Sequence, residues 1–481
     1  MTARTTVGIL GVGAATPRWR LTAAEIATAW NRSNLGRGQT SVCSPDEDSL
    51  TLAWDAATQA LAVSGLDADS VHGLWWGTTT LPFAEGPSHA VLANALGLGH
   101  RSTGATCSGS AHAGIEALLA AADAVAAGSV EYALVVVSDS VRPAPGTGFE
   151  SRAGAGAAAV VLSGGPAPAQ LGERHTESRP LLDRYRGTGE LDQRDLYDGR
   201  LFREEIFLPV VGAVIDAVGS SQDTTWSLPD PDGRLGAVLA KRTGAGPATS
   251  AGIYHELGDT GAAAALLGAI GAWERAGRHA VVAYGGGRAT VVVVEVRDAV
   301  PGAAEVASCC ADGVEVGYTR ALRSRTQLVP GGETIPMGVP PESALFARGA
   351  EEMLQLLGAR CVDCGTISSP PSIHPHCVAC GGPKLEPTKL ARSGTVHTYV
   401  VNHTMPAPFE APLPIAVIDL DDGARIMLQA DDDGSNIEIG QRVELVLRKY
   451  AHERGVPVYG YKARPVRDAT PTTSTGTGST R

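Results

Sequence analysis

Four cysteines in two close pairs are the residues of this 481-residue chain that point most directly to a chemistry. Cys361 and Cys364 are separated by two residues, and after a gap of twelve residues Cys377 and Cys380 repeat that spacing. Two such pairs supply four thiolates for a tetrahedral Zn²⁺, and a glycine after each pair lets the turn fold around the metal. Because the protein fills all four positions, we predict a structural zinc ribbon without an open site for substrate. Two disulfides in a secreted module are the alternative.

A further cysteine, Cys107, stands in a segment suited to nucleophilic chemistry. It lies between a glycine-containing turn and a predicted Ala-rich helix over 110–127, and the small residues Ser108, Gly109 and Ser110 follow it directly. Free N–H groups and the macrodipole at a helix N-terminus lower the pKa of a thiol, and the thiolate is the nucleophile. We therefore expect Cys107 to react with a thioester. A buried structural cysteine is the alternative.

The composition excludes several classes of protein. With a formal charge of −12, the chain has no basic stripe that could bind nucleic acid, so we expect no such partner. No apolar run approaches the roughly 20 residues that span a bilayer, so we expect no membrane partner. No charged and then apolar leader precedes the first strand-like run at 7–10, and the cysteine pattern suits a reducing compartment. The expected location is the cytoplasm.

The elements that position these residues follow from hydrophobic patterning. Strand-like runs at 7–10, 74–77, 132–137, 157–162, 280–284 and 290–296 alternate with Ala-rich helical patterns. Unbroken valine runs between helices predict an α/β fold with a largely parallel sheet that is covered on both faces. The predicted domains are a first domain over 1–300, a Pro- and Gly-rich linker over 301–342, a helix and the ribbon over 343–388, a small closed β-barrel over 389–467, and a disordered tail over 468–481.

Five motifs in the first domain carry a resemblance to a known superfamily. They are the glycine-rich opening at 7–13, the Cys107 segment, 153–157 before a strand, 258–263, and the late turn 284–288 with its triple glycine. Together they resemble the condensing branch of the thiolase superfamily, nearest to 3-hydroxy-3-methylglutaryl-CoA (HMG-CoA) synthase and ketoacyl synthase III. The resemblance implies duplicated αβαβα layers and a homodimer. It also implies that a coenzyme A or carrier-protein thioester acylates Cys107, and that Gly285, Gly286 and Gly287 help line an oxyanion site beside it.

Two catalytic residues of HMG-CoA synthases are missing. Those enzymes carry a Glu after an early Gly-Ser, whereas this chain reads Gly-Thr-Thr-Thr at 77–80, and Pro229 stands where the catalytic His would fall. The segment 255–262 resembles the His motif of thiolases and elongating ketosynthases. His255 is therefore predicted as the base or hydrogen-bond donor, with a structural histidine as the alternative. Asp259 is predicted to orient it, to bind substrate or to cap the next helix.

The C-terminal part carries a second resemblance. A short helix over 343–357, the four-cysteine ribbon and a barrel that opens with Gly-x-Val-x-Thr-Tyr at 394–399 resemble DUF35-type zinc-ribbon/OB-fold proteins. Such proteins accompany thiolase-superfamily enzymes as subunits or fusions. Although many OB-folds bind nucleic acid, the acidic loop 431–433 and the lack of an evident aromatic platform argue against that role here.

These features predict an acyltransferase. It would take an acyl group from acyl-CoA or an acyl-carrier protein onto Cys107 and pass it to a small-molecule carbon, oxygen or nitrogen nucleophile. Because the usual aldol acid and base are absent, we expect a role in specialised (secondary) metabolism, such as polyketide formation. Two alternatives remain open: a non-catalytic scaffold that holds CoA or an acyl carrier for a separate thiolase, and a carbon–carbon lyase of thiolase fold.

Overall fold

The structure, a computed structural model, describes residues 6–33, 38–180, 182–195, 198–219, 223–243, 249–329, 338–405, 409, 411–433 and 436–466. The predicted tail at 468–481 lies outside the described residues. The chain divides into two compact units, Met1–Gln355 with Leu447–Gly460, and Leu356–Val446 with Tyr461–Arg481. None of the helices in the described ranges is both long enough and apolar enough to cross a membrane.

The first unit alternates strands and helices. Its strands are β1 Gly8–Ala15, β2 Trp19–Thr22, β3 Gln39–Val42, β4 Gly73–Gly77, β5 Thr103–Cys107, β6 Tyr132–Ser140, β7 Ala155–Ser163, β8 Ala169–Ser178, β9 Thr224–Ser227, β10 Gly277–Gly285, β11 Arg288–Val296 and β12 Val314–Glu315. Its helices are α1 Ala23–Ala29, α2 Ser49–Ser64, α3 Ser88–Ala95, α4 Ala113–Ala126, α5 Gly199–Leu201, α6 Leu208–Val218, α7 Leu235–Thr243, α8 Thr249–Leu257, α9 Ala264–Ile270, α10 Val306–Ala311, α11 Tyr318–Ser324 and α12 Ala344–Gln355. A π-helical turn, Phe202–Phe207, joins α5 to α6.

Nine of these strands form one sheet in the order β5-β4-β6-β7-β1-β8-β11-β10-β9. Its N-terminal half (β1 and β4 to β7) and its C-terminal half (β8 to β11) repeat one pattern. Each half has a parallel pair (β4 with β6, β9 with β10), then an antiparallel pair (β6 with β7, β10 with β11), then an antiparallel pairing to its first strand (β7 with β1, β11 with β8). The sheet is therefore mixed, and the prediction of a largely parallel sheet was wrong. Valine runs report burial on both faces and do not report strand direction.

Helices cover both halves and separate them. Helix α2 packs on β1, β6 and β7, and α6 packs on β8 and β11. Between the halves, α4 packs on β4 and β6 and contacts α9, which packs on β7 and β10. Gly114 permits this contact, because a Cβ at that position would lie 2.1 Å from the carbonyl oxygen of Ala262. The resulting layers are the duplicated αβαβα arrangement that the resemblance implies, and that prediction is confirmed.

The segment predicted as a linker contains regular elements of the first unit. Helices α10 and α11 and strand β12 lie within 301–342, and β12 pairs with β2. Val306 belongs to the main hydrophobic core, and Ala321 packs in a smaller core with Trp19 and Leu21. The prolines and glycines thus limit these elements to a few residues each without preventing them. The domain boundaries themselves remain a prediction.

The C-terminal part of the chain, from residue 357 onward, contains two small sheets. Strands β13 Leu357–Cys361, β14 Ile367–Ser368 and β15 Leu385–Lys389 form a three-stranded sheet in the order β14-β13-β15. Strands β16 Ser393–Asn402, β17 Leu413–Leu420, β18 Arg425–Gln429, β19 Arg442–Glu453 and β20 Val456–Pro465 form a five-stranded sheet in the order β18-β17-β16-β19-β20. A bridge between Ala430 and Ala463 links the two edges of the larger sheet. This closure confirms the predicted small β-barrel.

Candidate functional site

Cys107 is the last residue of β5, which is the edge strand of the N-terminal half. It pairs with Gly77 of β4, and the Thr78 N–H donates a hydrogen bond of 3.0 Å to the Cys107 carbonyl oxygen. The side chain is half-buried and packs against the main hydrophobic core. Strand pairing thus fixes the backbone of this cysteine while its side chain stays partly accessible.

The pKa of the Cys107 thiol is raised above its ordinary value. Burial is the larger cause, and the carboxylate of Glu116 disfavours a second negative charge nearby. Helix α4 begins only at Ala113, so the turn 108–112 separates its N-terminus from the cysteine. The expectation that the helix terminus lowers this pKa was therefore wrong, since the dipole acts within about one turn of the helix end. A raised pKa disfavours the thiolate, which is the nucleophilic form.

A cavity of about 850 Å³ borders the turn that follows Cys107. This volume lies within the range of small-molecule sites, roughly 300–1,000 Å³. Cys107 itself and Gly287 are not part of its wall. The wall includes three sets of residues near the predicted site, namely Ser108, Gly109, Ser110 and Ala111, then Gly258, Asp259, Thr260 and Gly261, and finally Gly285 and Gly286.

The late glycine turn meets the Cys107 segment. It joins β10 to β11 with φ values of 58° at Gly286 and 72° at Gly287, which favour glycine. A Cβ on Gly285 would lie 2.4 Å from the backbone nitrogen of His112, and one on Gly286 would lie 2.9 Å from the Cβ of Ser110. The absence of side chains therefore lets this turn contact residues 110–112. The structure brings the two predicted parts of the site together.

Asp259 lies in the cavity wall with 8% of its surface exposed. One carboxylate oxygen accepts a 2.9 Å hydrogen bond from the Gly261 N–H, and the other pairs with the Arg184 guanidinium. Arg184 also lies 4.4 Å above the centre of the Phe149 ring. These contacts hold the loop 259–261 in place and pair Asp259 with Arg184, while the N-cap of α9 is Ala263, and the role of Asp259 stays a prediction.

His255 lies apart from these residues. It is on α8 with its side chain exposed, and it is not part of the cavity wall. The preceding residue, Tyr254, does line the cavity, and the two rings are 6.1 Å apart in an edge-on arrangement. The structure therefore does not bring His255 to the cavity that borders the Cys107 segment.

The two positions that depart from HMG-CoA synthases both border the cavity. Thr79 lies in its wall within the Gly-Thr-Thr-Thr run, and so does Pro229. The Thr79 hydroxyl donates a 2.8 Å hydrogen bond to Asp139 and lies 3.3 Å from the amide nitrogen of Gln193. Both segments that differ from the expected synthase pattern therefore contribute a residue to the same chamber.

Sequence reasoning missed Asp139, which organises two loops of this wall. Its carboxylate is fully buried and accepts hydrogen bonds of 2.8–2.9 Å from the hydroxyls of Thr78, Thr79 and Thr80. It also accepts a 2.7 Å bond from the Ala262 N–H, on the loop that leads into α9. The sequence signal for this site is an aspartate near the end of the apolar run 132–140. A carboxylate buried with such a run needs several hydrogen-bond donors, and these must come from neighbouring loops.

The four ribbon cysteines form a compact cluster in the second unit. All four sulfur atoms lie within 4.8 Å of one another, with Cys361 and Cys380 at 3.6 Å and Cys364 and Cys377 at 3.5 Å. Four sulfurs at ~2.3 Å from one Zn²⁺ stand about 3.8 Å apart, so this donor set fits a tetrahedral zinc ion. None of the four is in a disulfide. The histidines of the ribbon loop do not belong to the cluster found among the described residues.

Comparisons with known proteins agree with this architecture. The chain is 30% identical over 298 residues to hydroxymethylglutaryl-CoA synthase from Methanopyrus kandleri, a match that covers 58% of this chain and 85% of that protein. It is 36% identical over 156 residues to the synthase from Pyrococcus horikoshii, covering 32% of this chain and 45% of that relative. The fold is similar to that of MvaS in complex with 3-hydroxy-3-methylglutaryl coenzyme A, with a TM-score of 0.54, 20% identity, and coverage of 70% of this chain and 96% of that chain.

The C-terminal part has its own match. Residues 388–448 match the family model of the ChsH2 C-terminal OB-fold domain, and this match overlaps the predicted barrel from its first residue, 389, to 448. The cavity and Cys107 are found in the first unit. The chain therefore belongs to the hydroxymethylglutaryl-CoA synthase family, as an acyl-transferring condensing enzyme of the thiolase superfamily fused to an OB-fold domain.

Proposed function

We propose that the enzyme transfers an acyl group from acyl-CoA or an acyl-carrier protein through Cys107 to a small-molecule acceptor. The observation that carries this proposal is the cavity of about 850 Å³ whose wall combines residues 108–111, directly after Cys107, with Gly285 and Gly286. The Methanopyrus kandleri relative, which acts on CoA thioesters by its name, supports the donor class.

The proposed reaction has two steps. The Cys107 sulfur attacks the thioester carbonyl, the bond to the donor sulfur breaks, and the donor thiol leaves with the proton that the cysteine gives up. A second nucleophile then attacks the acyl-enzyme and restores the thiol. N–H groups at Gly285, Gly286 and Gly287 are proposed to stabilise the oxyanion, because bare backbone donors suit a developing alkoxide. The exposure of His255 gives its predicted role as the base little geometric support.

A role in specialised metabolism is part of this proposal. Its support is that Thr79 and Pro229 border the same cavity, in the two places where HMG-CoA synthases carry their acid and base. Neither a threonine hydroxyl nor a proline ring can transfer a proton near neutral pH as a carboxylate or imidazole does. We therefore propose a reaction other than the aldol-type addition by which HMG-CoA is formed.

We also propose a homodimer that pairs two copies along β5. This strand is at the edge of the nine-stranded sheet, and Thr103, Gly104 and Ala105 are exposed along it. An uncharged, exposed edge strand offers free backbone donors and acceptors to a second copy. Because β5 ends at Cys107, such pairing would place the two reactive cysteines near one interface.

Intact-mass measurement tests the acyl-transfer proposal. The purified protein is incubated with a panel of acyl-CoAs, and we expect an adduct of one acyl group that Cys107→Ala abolishes. Cys309→Ala is the matched control, because that side chain is also half-buried but is on α10, which contributes no residue to the cavity wall. An adduct that survives in Cys107→Ala removes this residue as the nucleophile. CoA binding without any adduct indicates the scaffold instead of the transferase.

For the second unit we propose structural zinc bound by Cys361, Cys364, Cys377 and Cys380. Support comes from the sulfur separations, which fit one tetrahedral ion. Removing the metal with a chelator should lower hydrogen-exchange protection selectively over 343–465, because binding energy in such sites is folding energy. Metal analysis of the untreated protein should give one zinc per chain. Unchanged protection after complete metal removal contradicts a structural role.

A further inference from the structure

One section of the cavity wall is apolar and belongs to a single hydrophobic core. Leu228 and Val282 are buried members of that core, and Phe202 and Tyr284 pack against it from partly exposed positions. All four also line the cavity. These four side chains therefore form an apolar section of the wall, whereas the rest of the wall includes several arginines and aspartates. Such a surface favours a ligand group that leaves water on binding.

Phe202 stands where the helix geometry changes. It is the first residue of the π-helical turn between α5 and α6. Its ring centre lies 5.6 Å from that of Phe207 and 6.1 Å from that of Tyr284, and the latter two are 4.9 Å apart. Phe207 is fully buried whereas Phe202 lines the cavity, so Phe202 joins this buried core to the cavity wall. Turns of this kind occur frequently at functional sites.

The apolar section continues along the chain to the Cys107 segment. Tyr284 is followed directly by Gly285 and Gly286, which meet residues 110–112. Phe202 is in edge-on contact with Tyr284. The aromatic rings and the turn after the cysteine thus border one cavity, with the glycine turn between them.

We infer that the acyl donor carries an apolar hydrocarbon chain, which lies against Phe202, Leu228, Val282 and Tyr284, and that Phe202 limits its length. This inference rests on the proposed function, because the chain enters the cavity as part of the thioester that acylates Cys107. A polar acyl group would lose hydrogen bonds to water against this surface without replacing them. A longer chain has to displace the Phe202 ring, which already packs against Phe207 and Tyr284.

A competition experiment tests the inference. Wild type and Phe202→Ala are each given an equimolar mixture of acetyl-, butyryl-, octanoyl- and dodecanoyl-CoA, and the adducts are quantified by intact mass. We expect Phe202→Ala to raise the ratio of long to short adducts by about tenfold or more, since a few methylene groups in an apolar pocket discriminate on that scale. Phe202→Leu should shift the ratio in the same direction by less, and it serves where the alanine variant does not fold. Phe83→Ala, outside the cavity wall, should leave the ratio unchanged.

A binding arm separates this inference from the proposed function. Cys107→Ala cannot be acylated, so the dissociation constants of butyryl-CoA and dodecanoyl-CoA are measured in that background with and without the Phe202 substitution. If wild type forms no adduct, the proposed function fails, and the binding arm still decides the chain-length question. The inference is overturned by a long-to-short ratio that no Phe202 variant changes in either arm, or by a preference for acetyl-CoA in every variant.

Discussion

The N-terminal half of the sheet has a fifth strand, β5, which ends at Cys107, whereas no described strand of the four-stranded C-terminal half takes the corresponding edge position. The C-terminal half instead supplies the glycine turn between β10 and β11 and the loop 258–261. The two halves therefore share one strand topology but contribute different parts of the site. The N-terminal half holds the reactive thiol on a paired strand, and the C-terminal half holds loops that shape the chamber.

The positions where the chain departs from HMG-CoA synthases come from both halves. Pro229 follows β9 in the C-terminal half, and Thr79 follows β4 in the N-terminal half, yet both border one cavity. Asp139 and Glu116 are N-terminal side chains that bind groups of the C-terminal half, namely the Ala262 N–H and the Arg288 guanidinium. We therefore expect the largest effects from substitutions at the contacts between the two halves.

Asp139→Ala should have the largest effect on stability. It removes the acceptor of three threonine hydroxyls and of the Ala262 N–H, so we expect a loss of about 3 kcal/mol in the free energy of unfolding. Chemical denaturation measures it. Asp123→Ala is the control, because that exposed carboxylate pairs only at the surface with Arg174 and should matter little. Equal effects of the two substitutions would show that the halves do not depend on Asp139.

Gly114→Ala should come next. The added methyl group meets the carbonyl oxygen of Ala262 at 2.1 Å and pushes α4 away from the loop before α9, at a cost of about 1–3 kcal/mol. Gly349→Ala is a control of opposite sign. That residue is inside α12 with open space around it, so alanine should stabilise the helix by about 0.5–1 kcal/mol. Thermal unfolding compares both with wild type, and a stabilised Gly114→Ala contradicts the close packing of the central layer.

Glu116→Gln should change reactivity more than stability. Its carboxylate helps to raise the pKa of the Cys107 thiol, so the neutral amide should lower that pKa while burial keeps part of the shift. The rate of iodoacetamide alkylation as a function of pH reports this pKa. Asp123→Asn, on the same helix, should leave the profile in place. An unchanged profile in Glu116→Gln would leave burial as the sole cause.

His255→Ala should have the smallest effect. Its imidazole is exposed and outside the cavity wall, so we expect turnover to stay within about twofold of wild type. The measurement is steady-state transfer with the best donor found in the adduct screen. A loss of ~10²-fold, the scale of general base catalysis, would establish the role that the sequence motif assigns to this residue.

Much of the fold could be predicted from local patterns. The valine-rich runs became β6, β7, β10 and β11 close to their expected bounds, because burial on both faces leaves a continuous apolar signature. Strand β8 was missed, since its residues 172–174 are exposed and polar and give no such run. The edge strand β5 was missed for the same reason, as its first three residues are exposed.

The sequence alone determined the parts that depend on short spacing, namely the two Cys-x-x-Cys pairs, the glycine turn at 285–287 and the small residues after Cys107. These follow from bond geometry and from residues adjacent in the chain. Only the tertiary structure decided that Asp259 pairs with Arg184, that His255 is exposed outside the cavity wall and that Phe202 lines the cavity. The physical reason is that such contacts join positions far apart in the chain, and their burial sets both the thiol pKa and the shape of the chamber.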